Sequence, residues 1–516
     1  MICAFLILPL LGAMLVDFFP HASRAAAAIA FALANLVVGL VLWLSGRYFS
    51  ESMNLSWFTQ LGVNFNVGFD GSSLLLALVV AFMTLLALIH AAGRDDIEPT
   101  GGFYTLVLAM STGLIGIFAA RDLILFYVFF EATLIPSLFM LGRFGRANRN
   151  RAVNKMALYT LFGGLLMLAA ILGVKYISGA SSFALADILA ALKARPLSLD
   201  VQTWLLLGFL AAFAVKTPLF PFHNWLPDFH AENHPSGVAD LMGTLYKVGG
   251  YGLFRFALPL FPDAARNLQP VLMFLAAFTA IYAAWIAFSV PDWKRLLAYA
   301  GLSHMGLVAL GMFSLHPIGM TGAIILLAFQ GVYTGGLFLL TGMVQERITK
   351  LEPDLEPEQA IDRGLEIGSI RGLAASAPAL AGVALTIWFA SIGVPGLAGF
   401  VGEFSVFLGA YQANPWMTAL AIATVIASAA MALRAYQKTW LEEPTHTVPE
   451  VRAREWWVLA PVLAVVIVFG IFTAPVLNLL KPSVEANIKH IQVVGVQGSL
   501  ENHSTDEQGT LAGRAR

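Results

Sequence analysis

Apolar residues run along this chain in long stretches, each close to the roughly 20 residues that a helix needs to cross the hydrocarbon core of a bilayer. Fourteen such stretches predict membrane-spanning helices, near 2–19, 26–46, 72–91, 103–119, 122–142, 154–177, 203–222, 236–260, 270–290, 295–313, 319–344, 376–411, 416–440 and 456–480. The stretch 376–411 is too long for one straight crossing and contains a breaker. Met1 to Phe19 has no basic segment before it and no small-residue cleavage site after it, so it reads as the first span and not as a removable signal. Residues 1–480 thus read as one polytopic bundle. Two segments fall outside the pattern: an acidic, proline-containing loop over 351–371, and a polar C-terminal tail, 481–516, expected to be disordered.

Composition agrees. Of 516 residues, 58% are apolar and only 12% charged, against about a quarter charged in a soluble domain. The mean hydropathy is +0.77. A formal net charge of −1 gives no reason to expect a nucleic-acid partner. The single cysteine, Cys3, excludes a disulfide framework and a cysteine-based cluster or zinc site. With no phosphate-cradling glycine pattern after a strand-like run, no cofactor is expected.

Lysine and arginine collect on alternate loops, which sets the expected orientation. One set holds Arg143, Arg146, Arg149 and Arg151, then Lys294 and Arg295, then Arg347, Lys350, Arg363 and Arg371, then Lys438, Arg452 and Arg454. These loops are expected to face the cytoplasm, with both termini on the opposite side of a bacterial inner membrane.

Five charged or titratable residues stand inside the spans: Glu131, Lys216, Lys247, His304 and Glu403. A charge at mid-bilayer costs on the order of 3 kcal/mol on insertion scales, so each needs a reason. They could pair simply to lock helices together, and His304 could be a satisfied packing residue. As a set they supply alternating acid, base and imidazole, the chemistry of a proton relay. Burial and an opposite neighbour act in opposing senses on such groups, so charge moving along the row would change each neighbour's proton affinity.

Two spans are interrupted beside these charges. Pro218 and Pro221 follow Lys216, and Gly393, Pro395, Gly396 and Gly399 precede Glu403. A broken helix survives in a membrane only where protein or water satisfies the freed backbone groups. The breaks lie five spans apart, and an odd separation inverts the second copy. The expected architecture is therefore all-α, about 14 transmembrane helices with two inverted five-helix repeats, near 103–260 and 270–440, each containing a broken helix. His223, Asp228, His230, Glu232 and His234 follow the first break, but their spacing resembles no tight ligand set, so no metal site is expected. They read as the end of a broken helix lining a water-filled entrance.

The strings VFFEATLIPSLFMLGR, AFAVKTPLFPFHNWLPDFHAE, GTLYKVGGYGLFRF, DWKRLLAYAGLSHMGLVALG and GVPGLAGFVGEF resemble, in order, the M-type antiporter-like subunit of complex I, the NADH:quinone oxidoreductase. The likeness runs from about residue 70 to 440. It implies a fourteen-helix, proton-conducting subunit without a redox cofactor, partnered by L-type and N-type neighbours in the membrane arm. On the matching positions it implies that Glu131 pairs with Lys216, Lys247 is the central relay residue, His304 an intermediate and Glu403 the exit-side group. Sister subunits usually have lysine where Glu403 stands, which favours the M-type. Many relatives have histidine where this chain has Gln330, and glutamine carries no proton at physiological pH. The alternatives are a subunit of an Mrp-like cation/proton antiporter or of a membrane-bound hydrogenase, and a passive scaffold whose charges only pair.

Overall fold

The computed structural model describes residues 1–94, 102–245, 248–352 and 354–491. Apart from 246–247, helix covers some part of every predicted span. In lipid this is the expected outcome, because a helix satisfies its backbone hydrogen bonds within one segment. The chain opens with α1 (Ile2–Leu15) and α2 (Arg24–Leu44), then an antiparallel hairpin of β1 (Ser52–Phe58) and β2 (Val63–Gly68). Next come α3 (Gly71–Ala92) and α4 (Gly102–Ala119). The fifth span is split at Thr133 into α5 (Leu123–Ala132) and α6 (Leu134–Phe144). It is followed by α7 (Arg149–Ser178) and a short helix, α8 (Leu185–Ala194).

The seventh span is broken into α9 (Leu199–Lys216) and α10 (Trp225–Glu232). The eighth begins as α11 (Val238–Leu245) and resumes as α12 (Gly249–Gly252), a π turn over Leu253–Ala257, and α13 (Leu258–Leu260). Three long helices follow: α14 (Pro262–Ser289), α15 (Trp293–Phe313) and α16 (Pro317–Leu351). Then come α17 (Pro357–Leu365), α18 (Leu373–Ser376), the two pieces of the twelfth span, α19 (Pro378–Ser391) and α20 (Ala398–Ala413), α21 (Pro415–Tyr436) with a π turn over Gln437–Leu441, and α22 (Ala453–Ile471). Proline at the first helical position starts α14, α16, α17, α19 and α21, where its missing N–H is no loss. Among the described residues, eleven helices are long and apolar enough to cross a membrane, and the chain is an all-α integral membrane protein. The apolar window of α16 is wholly enclosed; α16 packs against α3, α11, α15 and α20 and forms the axis of the bundle.

Features of the series α4–α13 recur in the series from α14 to the π turn after α21. Asp122 caps α5 through the N–H groups of Ile124 and Leu125, and Asp292 caps α15 through that of Arg295. Asp122 forms an isolated bridge with Ala184 just before α8, and Asp292 one with Glu366 just after α17. The loop between the third and fourth spans of each series thus carries short helix, α8 in the first and α17 with α18 in the second, and one strand-like contact to the cap. Each series also has a π turn in its last span.

Three elements differ from the expectation. The hairpin occupies what reads as an inter-span loop, because Gly62 supplies the left-handed conformation (φ +73°) its turn requires. The acidic loop over 351–371 contains α17. The expected tail starts as a helix over 474–491, with Val476, Leu479, Leu480, Val484, Ile488 and Ile491 buried. Their three- and four-residue spacing gives this polar segment one apolar stripe. The rest of that tail, 492–516, lies outside the described residues.

Candidate functional site

Lys216 is the last residue of α9, 2% exposed, where the helix dipole favours a cation. Beyond it Pro218 and Pro221 stop the helix, and the structure accounts for backbone groups the break would strand. The Val215 carbonyl accepts the indole N–H of Trp225 at 3.0 Å, and the Phe220 N–H donates to Thr279 Oγ1 of α14 at 3.1 Å. Lys216 Nζ lies 4.7 Å from the centre of the Phe130 ring. Glu131, next to Phe130 on α5, interacts electrostatically with Lys216. Aromatic rings surround the pair: Phe126 packs on Phe130, Phe213 and Phe256, with centroids 5.8, 6.1 and 4.3 Å away. Gly164 of α7 makes room for the carboxylate, since a Cβ there would collide with Glu131 Oε1. On the other side, Gly249 and Gly252 let the eighth span close against the break, where side chains would meet Thr217 and Phe213.

The second break spans 392–397, with Gly393 (φ +70°) and Gly396 (φ +90°) in conformations that other residues rarely adopt. Glu403 follows in the second turn of α20, 7% exposed. Its Oε1 is 3.5 Å from His304 Nε2 of α15, and a Cβ on Gly393 would collide with its Oε2. Tyr333 of α16 sets its ring edge-on to His304 at 5.6 Å. One turn along α15, the Gly301 carbonyl accepts from Gln330 Nε2 at 3.4 Å. Ser303, adjacent to His304, turns away and donates to the Ala280 carbonyl.

The structure therefore brings four of the five predicted residues into two groups, Glu131 with Lys216 and His304 with Glu403. Lys247 lies outside the described residues. A third group was not anticipated. Lys294, counted above among the basic loop residues, is fully enclosed, with its Nζ 2.7 Å from Asp240 Oδ2 of α11. His230 of α10 pairs through Nδ1 with Asp240 Oδ1 at 3.0 Å and is equally buried. The signal was there in part: Asp240 is an acid seven residues before Lys247 in an otherwise apolar segment. The remaining loop residues scatter. Asp228 pairs with Lys155 and Arg295, and Glu232 accepts from the Asn148 N–H. The basic loops do gather on one face: Arg146 pairs with Asp362, while Arg94, Lys350, Arg452 and Arg454 all pair with Glu346.

Broken helices with charges at their ends, inside a wholly helical membrane bundle, define an ion-translocating membrane protein of the antiporter-like class. The family model described as "NADH:quinone oxidoreductase/Mrp antiporter, TM" matches residues 120–428, and the chain belongs to that family. Among its relatives, NADH-quinone oxidoreductase subunit 13 of Thermus thermophilus is 50% identical over 429 residues, 83% of this chain and 86% of that protein. A chain of the structure of respiratory complex I from Thermus thermophilus with bound NADH superposes with a TM-score of 0.87 at 44% identity, covering 95% of this chain and all of that one. The structure of the Mrp complex from Dietzia shares the fold, with a TM-score of 0.79 over 95% of this chain and 52% of that one, at 21% identity.

Proposed function

We propose that this chain is the M-type, proton-translocating subunit in the membrane arm of a bacterial NADH:quinone oxidoreductase, a multi-pass inner-membrane protein with L-type and N-type neighbours. The observation that carries the reading is the pair of buried, oppositely furnished sites at two broken helices, in a chain half identical to a subunit of that enzyme. We read α4–α13 and the series from α14 onward as inverted repeats, each supplying half of one path. Both termini are assigned to the non-cytoplasmic side from the distribution of basic residues.

In this reading the chain does no redox chemistry and acts as a translocase. The Glu131 carboxylate offsets the Lys216 ammonium in a ring-lined, low-dielectric pocket, where an unpaired charge is worth several kcal/mol. Moving Glu131 or its charge away favours release of the Lys216 proton to Lys247, the central carrier. From there the proton passes by His304 to Glu403 and leaves on the far side. Gln330 cannot ionise, so the passage along α16 runs through water and His304. His304 Nδ1, Gln330 Oε1 and Tyr333 Oη have no protein hydrogen-bond partner among the described residues, and buried polar atoms of this kind are ordinarily satisfied by water.

The test is a Lys247→Ala variant in inverted membrane vesicles, with assembly checked on a native gel. Quinone-linked NADH oxidation and proton uptake are recorded together. Both are expected to fall while the complex stays intact. Normal rates for both would make the buried charges helix-pairing devices and the subunit a scaffold.

A further inference from the structure

The relay needs a supply of protons from the cytoplasm, and the five residues above do not provide one. We infer that Lys294, Asp240 and His230 form a proton-loading station between a cytoplasmic cavity and Lys247. This rests on the proposed proton-translocating function.

The geometry is that of a short wire. A cavity of about 350 Å³ opens among the basic loops, lined by Gly145, Asn148, Glu232 and His234 and, from α17, by Glu358 and Asp362. It is large and polar enough to hold several waters. The backbone of His234, which lines the cavity, continues the path inward. Lys294 Nζ donates to the carbonyls of Asn233 and His234 at 2.9 and 2.8 Å. The same ammonium meets Asp240 Oδ2, and the other carboxylate oxygen meets His230 Nδ1. His230 is held flat against Phe338, 4.6 Å between ring centres, and its Cε1 would lie 3.2 Å from a Cβ on Gly243, four residues before Lys247 in sequence. One carboxylate thus bridges an amine and an imidazole, all three fully enclosed and on three different spans.

A pair serving only to join α11 and α15 needs no imidazole on the second carboxylate oxygen, and no cavity reaching His234, to whose carbonyl the lysine donates. The transfer balances as follows. Lys294 gives an Nζ proton to Asp240, leaving a neutral amine and a neutral acid. Asp240 passes that proton to His230 Nδ1, the imidazole being in its Nε2–H form, and His230 releases the Nε2 proton toward Lys247. The Lys294 amine is then reprotonated from the cavity through water admitted beside the His234 carbonyl to which it donates. This leaves the imidazole as its Nδ1–H tautomer, and tautomeric exchange back to the Nε2–H form closes the cycle: one proton has entered, one has left, and all three groups are as they began.

The decisive variants keep the contacts and remove the titration. Lys294→Arg preserves the ion pair but cannot deprotonate, and His230→Gln preserves a polar contact to Asp240 without a proton site. Both are measured in the assembled complex, in inverted vesicles, beside Lys247→Ala. Each is expected to assemble and to lose about ten-fold or more of both NADH oxidation and proton uptake. Either variant assembling with more than half of the wild-type rates overturns the inference, and failure of both to assemble makes the cluster a packing lock and overturns it too. If Lys294→Arg alone fails to assemble, His230→Gln decides. Normal rates in Lys247→Ala as well would mean that the relay reading itself had failed; a slow Lys247→Ala beside normal cluster variants would confine the failure to the loading station.

Discussion

The two broken spans hold charge in contrasting surroundings. At the first, the cation comes before the break, as the last residue of α9, with its carboxylate on a neighbouring span and phenylalanine rings around both. At the second, the carboxylate comes after the break, and its neighbours are polar: His304, Tyr333 and, one turn away, Gln330. A site with one opposite pair among phenylalanine rings has few stable charge states, because either charge alone is strongly disfavoured in low dielectric. A site furnished with imidazole, phenol and amide has several, close in energy, and suits conduction. In the proposed relay the first break serves as the switch and the second as the outlet.

Glu131→Gln is the sharpest way to break that contrast, because it leaves Lys216 in its aromatic pocket with no carboxylate. Losing one partner of a buried pair costs about 3–5 kcal/mol. Quinone-linked NADH oxidation in native-gel-verified complex should fall about ten-fold or more. The matching change in the second site, Glu403→Gln, should cost only about three-fold in the same assay, since His304, Tyr333 and water remain. Equal losses in the two variants would show that the sites do not differ in kind.

Much of this was legible in the sequence, for reasons specific to a membrane. Lipid demands about 20 apolar residues per crossing, so the spans stood out, and the breaks announced themselves as proline after Lys216 and glycine before Glu403. A charge inside an apolar run is conspicuous, which is why Glu131, Lys216, His304 and Glu403 were found. Partnership was not legible: Glu131 and Lys216 are 85 positions apart in sequence, and only the resemblance joined them. Lys294 was misplaced because it stands at a span end beside Asp292 and Arg295, where lysines usually reach water. Its enclosure depends on the loop after α10 folding back over it, a tertiary fact that no local pattern carries. The part of the helix beyond 480 was missed because Lys481, Ser483, Glu485, Asn487, Lys489 and His490 make its composition mostly polar.

The glycines against the two carboxylates give a finer comparison. In Gly164→Ala the backbone is ordinary and only the flexible end of Glu131 must move, so turnover should drop about two-fold with the thermal midpoint of the solubilised complex unchanged. Gly393→Ala adds backbone strain of about 1–2 kcal/mol, because φ is +70° there. It should lower turnover by a similar factor and lower the midpoint as well. A midpoint unchanged in Gly393→Ala would mean that the second break relaxes freely and is not a fixed outlet.

The smallest effect is expected from Gln330→His. If the second site conducts through several near-equivalent polar groups, an extra imidazole one turn from His304 adds a route without removing one, and turnover should change by less than two-fold. The competing possibility is that Gln330 matters for what it holds. Its amide nitrogen donates to the Gly301 carbonyl, tying α16 to α15 beside His304, and an imidazole is shorter in reach and has a single donor when neutral. A loss of five-fold or more in NADH oxidation, with assembly intact, would assign Gln330 that positioning role. It would also undo the contrast drawn here, because the second site would then depend on one fixed geometry just as the first depends on one ion pair.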